Sequence, residues 1–413
     1  MKTPKIRFKG YTEDWEQRKL GEVLDVIKDG THGTHQDAVD GPLLLSAKNI
    51  KNGTIIWDET DRKISEDEYE KIHSKFKLQK DDVLLTIVGS IGETAILKDI
   101  LGITFQRSVA FLRPSKEVTS EFIYSEIQTP RFQKELDNRK STSAQPGIYL
   151  GDLSEIPFTF TRTEEEQERI GDYFSKIDNL ITLHQRKCKQ IKKLKKFMLQ
   201  NMFPKNGEYI PTIRFEGFTN DWEQRKLKDF GQATGGTSIE SEFSDDGVYK
   251  VISIGSYSEN SVYTDQGIRA IDSEKTRKRI LNKGDLTMIL NDKTASGNII
   301  GRVLNIEESG VYVYNQRTER IEIDSSKYDS TYLYQMLNAP LIREKIIKQS
   351  QGNTQIYVNW PVIEMTEYLV PKIEEQRKVG TYFQQLDHLI TLHQRKCDEL
   401  QNLKKYMLQN MFI

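Results

Sequence analysis

The segment EEQERIGDYFSKIDNLITLHQRKCKQIKKLKKFMLQNMF, Glu165–Phe203, returns at an offset of 209 as EEQRKVGTYFQQLDHLITLHQRKCDELQNLKKYMLQNMF, Glu374–Phe412, with 25 of 39 positions identical. In the first copy Ile170, Phe174, Ile177, Ile181, His184, Cys188, Ile191, Lys195, Met198 and Met202 advance by alternating steps of four and three, the spacing of a heptad seam. Val379, Phe383, Leu386, Ile390, His393, Cys397, Leu400, Lys404, Met407 and Met411 repeat it in the second. Two helices with the same seam in one chain are expected to pack together. Tyr173, Leu180, Leu183 and Leu194, like Tyr382, Leu389, Leu392 and Leu403, widen each stripe and leave apolar surface for a further partner. The acidic start of each copy suits the positive end of a helix dipole, and Phe203-Pro204 ends the first helix. At 1.5 Å per residue, about 39 residues span roughly 60 Å, the length of a ruler.

A second repeat opens each half. PKIRFKGYTEDWEQRKLGEV, Pro4–Val23, realigns with PTIRFEGFTNDWEQRKLKDF, Pro211–Phe230, at an offset of 207 with 13 of 20 positions identical. Between these flanks the halves diverge, and only LQKDDVLLT at Leu78 against LNKGDLTMI at Leu281, and Gln106-Arg107 against Gln316-Arg317, still correspond. Flanks held alike around diverged middles suggest that the flanks meet identical partners and the middles different ones; uneven drift between core and loops is the alternative. Pro204, Gly207 and Pro211 mark a boundary. The expected divisions are a first variable domain at 1–160, a long helix at 161–203, a linker at 204–210, a second variable domain at 211–369 and a second long helix at 370–413.

The middles carry short β-rich runs between turns: LLLSAKNI, NGTIIW, DDVLLTIVGSIG and AFLRP in the first, GVYKVISIG, GDLTMIL, GNIIGRVL and GVYVYNQ in the second. With helices predicted over Ser120–Arg139 and Ser330–Gln349, the class is α/β (α+β) with an internal repeat. A chain of 413 residues exceeds what one core usually organises. Charged residues make up 29%, the mean hydropathy is −0.62, and no apolar run approaches the roughly 18 residues of a membrane span. The opening MKTPKIRFKG lacks a signal core, and Cys188 and Cys397 sit in matching repeat contexts, which points to a reducing, cytoplasmic setting. The net charge of −1 is no global nucleic-acid signature, so DNA contact would have to come from local basic surface.

No GxxxxGK[ST] phosphate loop, no Asn-Pro-Pro-aromatic methyltransferase motif and no glycine-rich strand-turn-helix for S-adenosylmethionine is present, so no catalytic residue is expected. His184 and His393 lie on the seams without a carboxylate or second histidine to complete a site. They are read as polar seam residues fixing register, in preference to a metal site, and the cysteines as packed thiols in preference to a disulfide. The basic run Arg186, Lys187, Lys189, Lys192, Lys193, Lys195 and Lys196 is either a solvated face or a surface over phosphates. Polar, glycine-bearing loops concentrate residues able to read base edges, amides suiting adenine and Arg or Lys suiting guanine. The candidates are Thr31, His32, Thr34, His35, Lys48, Asn49, Ser90 and Arg107 in the first domain, and Thr237, Asn291, Lys293, Thr294, Arg317, Asn353 and Gln355 in the second. For Arg107 and Arg317 a structural salt bridge is the competing reading.

The WEQRKLGEV and WEQRKLKDF openings, LQKDDVLLTIVGSIGETAIL, and the two helices running from EEQ to QNMF together resemble the specificity subunits of type I restriction-modification systems over essentially the whole chain. The second domain departs from the pattern where TASGNIIG replaces GSIG. The resemblance implies two tandem target-recognition domains joined by two long antiparallel coiled-coil helices in a pseudo-twofold repeat. It also implies that each domain reads one half of a split, asymmetric DNA target while the helices set the gap. Implied partners are double-stranded DNA, two N6-adenine methyltransferase subunits and, for cleavage, restriction subunits. S-adenosylmethionine, ATP and Mg are then used by the partner subunits, with no cofactor bound by this chain.

Overall fold

A computed structural model describes residues 3–74, 76–99, 102–141, 146–205, 207–293 and 295–413. The chain forms two compact units, residues 1–186 with 394–413, and residues 187–393.

In the first unit a four-stranded antiparallel sheet runs in the order Leu24–Asp29, Val109–Pro114, Val83–Thr86, Thr94–Ile96. A parallel pair, Leu43–Leu45 with Ile103–Phe105, lies beside it in the chain order. The second unit repeats the plan with Gly231–Gly235, Thr318–Ile323, Leu286–Ile289 and Val303–Asn305, and with the parallel pair Tyr249–Ile252 and Tyr312–Tyr314. The weak correspondence at Leu78 and Leu281 has a physical cause. Asp82 accepts from Gln79 N at 2.8 Å and pairs with Arg113 at 2.8 Å on the neighbouring strand. Asp285 accepts from Asn282 N at 2.7 Å and pairs with Arg320 at 2.8 Å. Each aspartate closes a turn and binds two strands together.

The single helices expected at 120–139 and 330–349 are each broken. Ser120–Ile127 is followed by Pro130–Asn138, and Ser330–Asn338 by Pro340–Ile347. Thr129 and Ala339 precede the prolines with ψ of 146° and 135°, because the proline ring excludes the helical conformation from the residue before it, while proline suits a first helical position. The NGTIIW run is also shorter than expected: Thr54–Ile55 pairs with Ile50–Lys51, and Trp57 is exposed.

The WEQRK motifs become strands that close each domain. Glu16–Lys19 pairs antiparallel with Pro157–Phe160, and Glu223–Lys226 with Glu367–Val370, so each domain's first strand lies against the one that leads into its long helix. Trp15 and Trp222 are buried at 3% and 2% exposure. The arginine of each IRF triplet then grips the helix start. Arg7 binds Glu166 through two contacts, 2.6 and 2.9 Å, and Arg214 binds Glu375 at 2.7 and 2.8 Å. Gln167 accepts from Thr119 N and donates to Glu117 O and Thr161 O; Gln376 accepts from Asp329 N and donates to Lys327 O and Pro371 O. The EEQ triplet therefore fastens each helix to its own domain, beyond any dipole role.

The long helices span Glu164–Asn201 and Ile373–Asn410. In the first unit Ile170 and Phe174 share a core with Leu408, Met411 and Phe412, and the Phe412 ring packs on Trp15, Phe122 and Phe174 at 5.4 to 5.9 Å. In the second, Val379, Phe383 and Leu386 share a core with Met202 and Phe203, whose ring meets Trp222, Tyr332 and Phe383 at 5.9 to 6.3 Å. Each domain's core is thus completed by the far end of the other copy's helix. Burial of one such ring is worth about 3–5 kcal/mol against alanine.

Candidate DNA interface

Within each unit the helices run antiparallel. Cys397 Sγ donates to Ile181 O at 3.8 Å and Lys404 reaches Asp178 in the first unit; Cys188 Sγ donates to Ile390 O at 4.0 Å and Lys195 reaches Asp387 in the second. Of the seam residues, Ile170, Phe174, Ile177, Ile181, Cys188, Val379, Phe383, Leu386 and Cys397 are buried, and His184, Ile191, Ile390, His393 and Leu400 partly so. Leu180, Leu183, Leu194 and Phe197 are exposed, as are their repeat counterparts Leu389, Leu392, Leu403 and Tyr406. Among the described residues no group of three or more His, Cys, Asp or Glu could hold a metal ion.

The loop candidates gather at one edge of each sheet. In the first domain Gly30 N donates to Val109 O at 3.0 Å, Thr31 N to Phe105 O at 2.9 Å and Arg107 N to Thr31 O at 3.0 Å. These bonds hold the 29–35 loop against the turn that carries Arg107. Ser90 lies on the adjoining turn, where Ile87 N donates to Ser108 O at 2.9 Å. Glycine is required at position 30, because a Cβ there would fall 2.2 Å from Phe105 O. In the second domain Gly236 takes the same place: its N donates to Thr318 O at 2.8 Å, and a Cβ would fall 2.1 Å from Asn315 O. Thr237 follows it, and Leu290 N donates to Arg317 O at 2.9 Å, bringing the Asn291–Lys293 turn beside Arg317. Asn291 pairs across to Tyr357, whose loop carries Asn353 and Gln355. Thr294 lies outside the described residues.

His32, Thr34, Ser90, Arg107, Thr237, Lys293, Arg317, Asn353 and Gln355 are exposed. Neither Arg107 nor Arg317 makes an ion pair among the described residues, so the salt-bridge reading of these two is not supported. Arg317 also holds φ at +68°, an uncommon conformation for a side-chain-bearing residue. Four candidates, Asn49, Lys48, His32 and His35, are otherwise engaged. Asn49 is 3% exposed, its Oδ1 accepting from Ser46 N and its Nδ2 donating to Ile56 O and Asp61 Oδ1, which leaves no amide hydrogen for a base; it closes a turn and is corrected to a structural residue. Lys48 pairs with Asp61 at 2.7 Å with its side chain 63% exposed. His32 bonds Asp29, and His35 bridges Thr31 Oγ1 and Glu68 Oε1 at 2.7 Å each, bracing the loop from within. In the basic run Lys195 is held by Asp387, while Arg186, Lys187, Lys189, Lys193 and Lys196 are exposed.

Sequence reasoning missed Arg279 and Glu319. Arg279 donates to Gly235 O, Tyr314 Oη and Thr237 Oγ1, with its guanidinium 5.2 Å from the Tyr314 ring centre. Glu319 lies under the same edge, against Gly235, and is 5% exposed. Burial, reinforced by Glu364 and opposed by Arg279, pushes its carboxyl up to about 7. No local motif marks either residue, because both draw their role from segments distant in sequence.

A pair of matched domains, each presenting polar loops beside its sheet and clasped by duplicated helices, is the build of a modular recognition protein with two heads. The profile of the type I restriction modification DNA specificity domain matches twice, over residues 12–193 and 219–402, and the chain belongs to that family as a type I specificity subunit with two tandem recognition domains. Its place in such systems is DNA recognition and not catalysis. It is 23% identical over 407 residues to the type I restriction enzyme MjaVIII specificity subunit of Methanocaldococcus jannaschii, covering 96% of this chain and 91% of that one. It is 26% identical over 189 residues to the EcoBI specificity subunit of Escherichia coli, covering 43% and 40%. The fold is similar to the crystal structure of the type I S subunit from M. genitalium, with a TM-score of 0.67 and 16% identity over 100% of this chain and 99% of that one. No helix among the described residues is long and apolar enough to cross a membrane.

Proposed function

We propose that each recognition domain reads one half of a bipartite, asymmetric DNA target through its sheet-edge loops, and that the paired helices set the gap and dock two methyltransferase subunits. The observation that carries this reading is the contrast between the two surfaces. The loop framework is common to both domains, down to the close-approach glycines Gly30 and Gly236, but the side chains on it differ, as two different half-sites require. The helices instead repeat the same exposed apolar residues, with Leu180, Leu183, Leu403 and Tyr406 in one unit and Leu389, Leu392, Leu194 and Phe197 in the other. Closely matched patches, differing in Tyr406 for Phe197, suit two copies of one partner.

Half-sites read from one face of B-DNA lie about one turn, roughly 34 Å, apart, so the target is two short specified blocks separated by a few unspecified base pairs. Restriction subunits join the full complex for cleavage. S-adenosylmethionine, ATP and Mg act in the partner subunits, and the complex works in the cytoplasm, where its DNA is. The division expected from sequence, with domains at 1–160 and 211–369, helices at 161–203 and 370–413 and a linker at 204–210, is retained as the functional division. The test is single-molecule sequencing of DNA from a host carrying this chain with its cognate methyltransferase subunit, compared with the methyltransferase alone. A new N6-methyladenine signature in a split motif supports the reading; complex formation without a new motif refutes it.

A further inference from the structure

The seams contain one charged position each, Lys195 and Lys404, among otherwise mostly apolar rungs. Lys404 Nζ lies 2.5 Å from Asp178 Oδ1 and also donates to Gln128 Oε1 at 2.6 Å, while Tyr124 Oη donates to Asp178 Oδ2 at 2.8 Å. In the other unit Lys195 Nζ lies 2.6 and 2.7 Å from the two oxygens of Asp387, and Gln335 Nε2 donates to Asp387 Oδ2 at 2.8 Å. The lysine side chains are 14% and 17% exposed, the aspartates 21% and 38%. Asp178 and Asp387, like Lys195 and Lys404, are repeat equivalents. The aspartate–lysine pair is therefore built twice, from an aspartate of one helix and a lysine of the other, and a recognition-domain amide braces it differently each time, Gln128 accepting from the lysine in the first unit and Gln335 donating to the aspartate in the second.

Away from the Phe203 and Phe412 anchors at the helix ends, the apolar rungs define register poorly. Ile177, Ile181, Leu386 and Ile390 would still meet apolar neighbours after a slip of one heptad. A largely buried lysine would not, since displacement would leave its charge against apolar side chains without the carboxylate. The amides extend the constraint to the domains: Gln128 caps the Ser120–Ile127 helix, and Gln335 lies in the Ser330–Asn338 helix. Each lock thus fixes helix against helix and domain against helix at one point.

We propose that Asp178–Lys404 with Gln128 and Tyr124, and Asp387–Lys195 with Gln335, are the positioning residues that hold the target to a single spacer length. This rests on the reading that the two domains bind two half-sites. The locks touch no base, so their loss relaxes the gap and leaves the half-site sequences unchanged, which a merely stabilising role does not predict.

The experiment is methylation-motif sequencing of the complete complex carrying Lys195→Met/Lys404→Met, Asp178→Asn/Asp387→Asn, or both pairs exchanged, Asp178→Lys/Lys404→Asp with Asp387→Lys/Lys195→Asp, so that neither wild-type lock remains to hold the register for the other. For the Met and Asn variants, methylation at targets whose spacer is about three base pairs longer or shorter, the roughly 10 Å of a one-heptad slip, should rise by about tenfold or more relative to wild type, with both half-sites intact. The exchanged pairs should return to one spacer. Met and Asn variants that methylate with the wild-type spacer alone overturn the lock. Should both be too unstable to methylate, the exchanged pairs decide: a recovered single-spacer motif supports the lock, and continued loss overturns it. A wild-type complex that writes no bipartite motif overturns the two-half-site reading, and the lock with it.

Discussion

Replacing Arg7 with methionine removes the guanidinium that neutralises Glu166 while keeping a flexible apolar chain of similar length. The Glu166 side chain is 0% exposed and Arg7 11%, and both carboxylate oxygens accept from the one guanidinium, which also donates to Glu13 O at 2.7 Å. A carboxylate left alone at such a site costs about 3–5 kcal/mol. For a unit of this size each kcal/mol moves the melting temperature by about 2–4 °C, so Arg7→Met should lower the first unit's transition by about 6–20 °C. The repeat supplies a control, because Arg214 and Glu375 form the same pair with side chains 14% and 2% exposed. Arg214→Met should produce a similar loss in the second unit, and, with no shared partner, the two losses should add. Arg7→Met/Glu166→Leu removes both charges and should recover most of the stability. Scanning calorimetry with urea titration measures each value. A loss below about 1 kcal/mol for Arg7→Met, or a double variant no more stable than the single, would refute the claim that this pair fastens the helix to its domain.

Truncating the exchanged anchors, Phe412→Ala or Phe203→Ala, should each cost about 3–5 kcal/mol by urea titration, with the loss in the first unit for Phe412 and in the second for Phe203. Glu126 is wholly buried with Oε2 unbonded, and burial, only partly offset by Arg131, raises its carboxyl from the ordinary 4.5 to about 7. The folded state therefore holds an extra proton between those values, and stability falls as pH rises through that window. Glu126→Gln should flatten this slope and stabilise the protein above pH 7 by up to about 3 kcal/mol, measured by urea titration across pH. Arg107→Ala should weaken discrimination in the first half-site only, and Arg317→Ala in the second only, by about 1–3 kcal/mol if each contacts a base, read from competition binding of the complex to single-base variants of its target.

The helices were legible because a heptad pattern is local and sustained: the expected 161–203 and 370–413 compare with Glu164–Asn201 and Ile373–Asn410. The breaks at Pro130 and Pro340 were written in the sequence too, but apolar periodicity carried the reading across them, although proline restricts its predecessor more strongly than periodicity favours a helix. What the sequence could not convey was pairing at a distance. Arg7 looks like a surface arginine until the fold brings up Glu166, and Lys195 looks misplaced on its seam until Asp387 arrives from the antiparallel helix. Asn49 was misread for the converse reason. A polar residue near a turn resembles a reader of bases, yet here its amide closes the turn that contains it. The loop edge was legible as composition, since glycine followed by threonine marks both Gly30 and Gly236, but its assembly depends on backbone bonds between segments far apart.

The crossed anchoring also accounts for the pattern of likeness between the halves. The first domain's socket, made by Trp15, Phe122 and Phe174, receives Phe412 from the second helix, and the second domain's socket, made by Trp222, Tyr332 and Phe383, receives Phe203 from the first. A change in either socket must therefore suit the helix end written in the other copy, and a change in either helix end must suit the other copy's socket. The lysine–aspartate pairs impose the same reciprocity along the seam. Such coupling favours keeping the socket tryptophan of WEQRK and the helix end MLQNMF alike in both copies. The loops carrying Thr34, Ser90, Arg107, Lys293, Asn353 and Gln355 make none of these contacts and can vary without disturbing them. Replacing Lys5–Phe160 by a different recognition domain that keeps the tryptophan socket and the arginine for Glu166 should therefore preserve assembly and rewrite one half-site alone. A replacement that alters both half-sites would show that the domains are not independent readers.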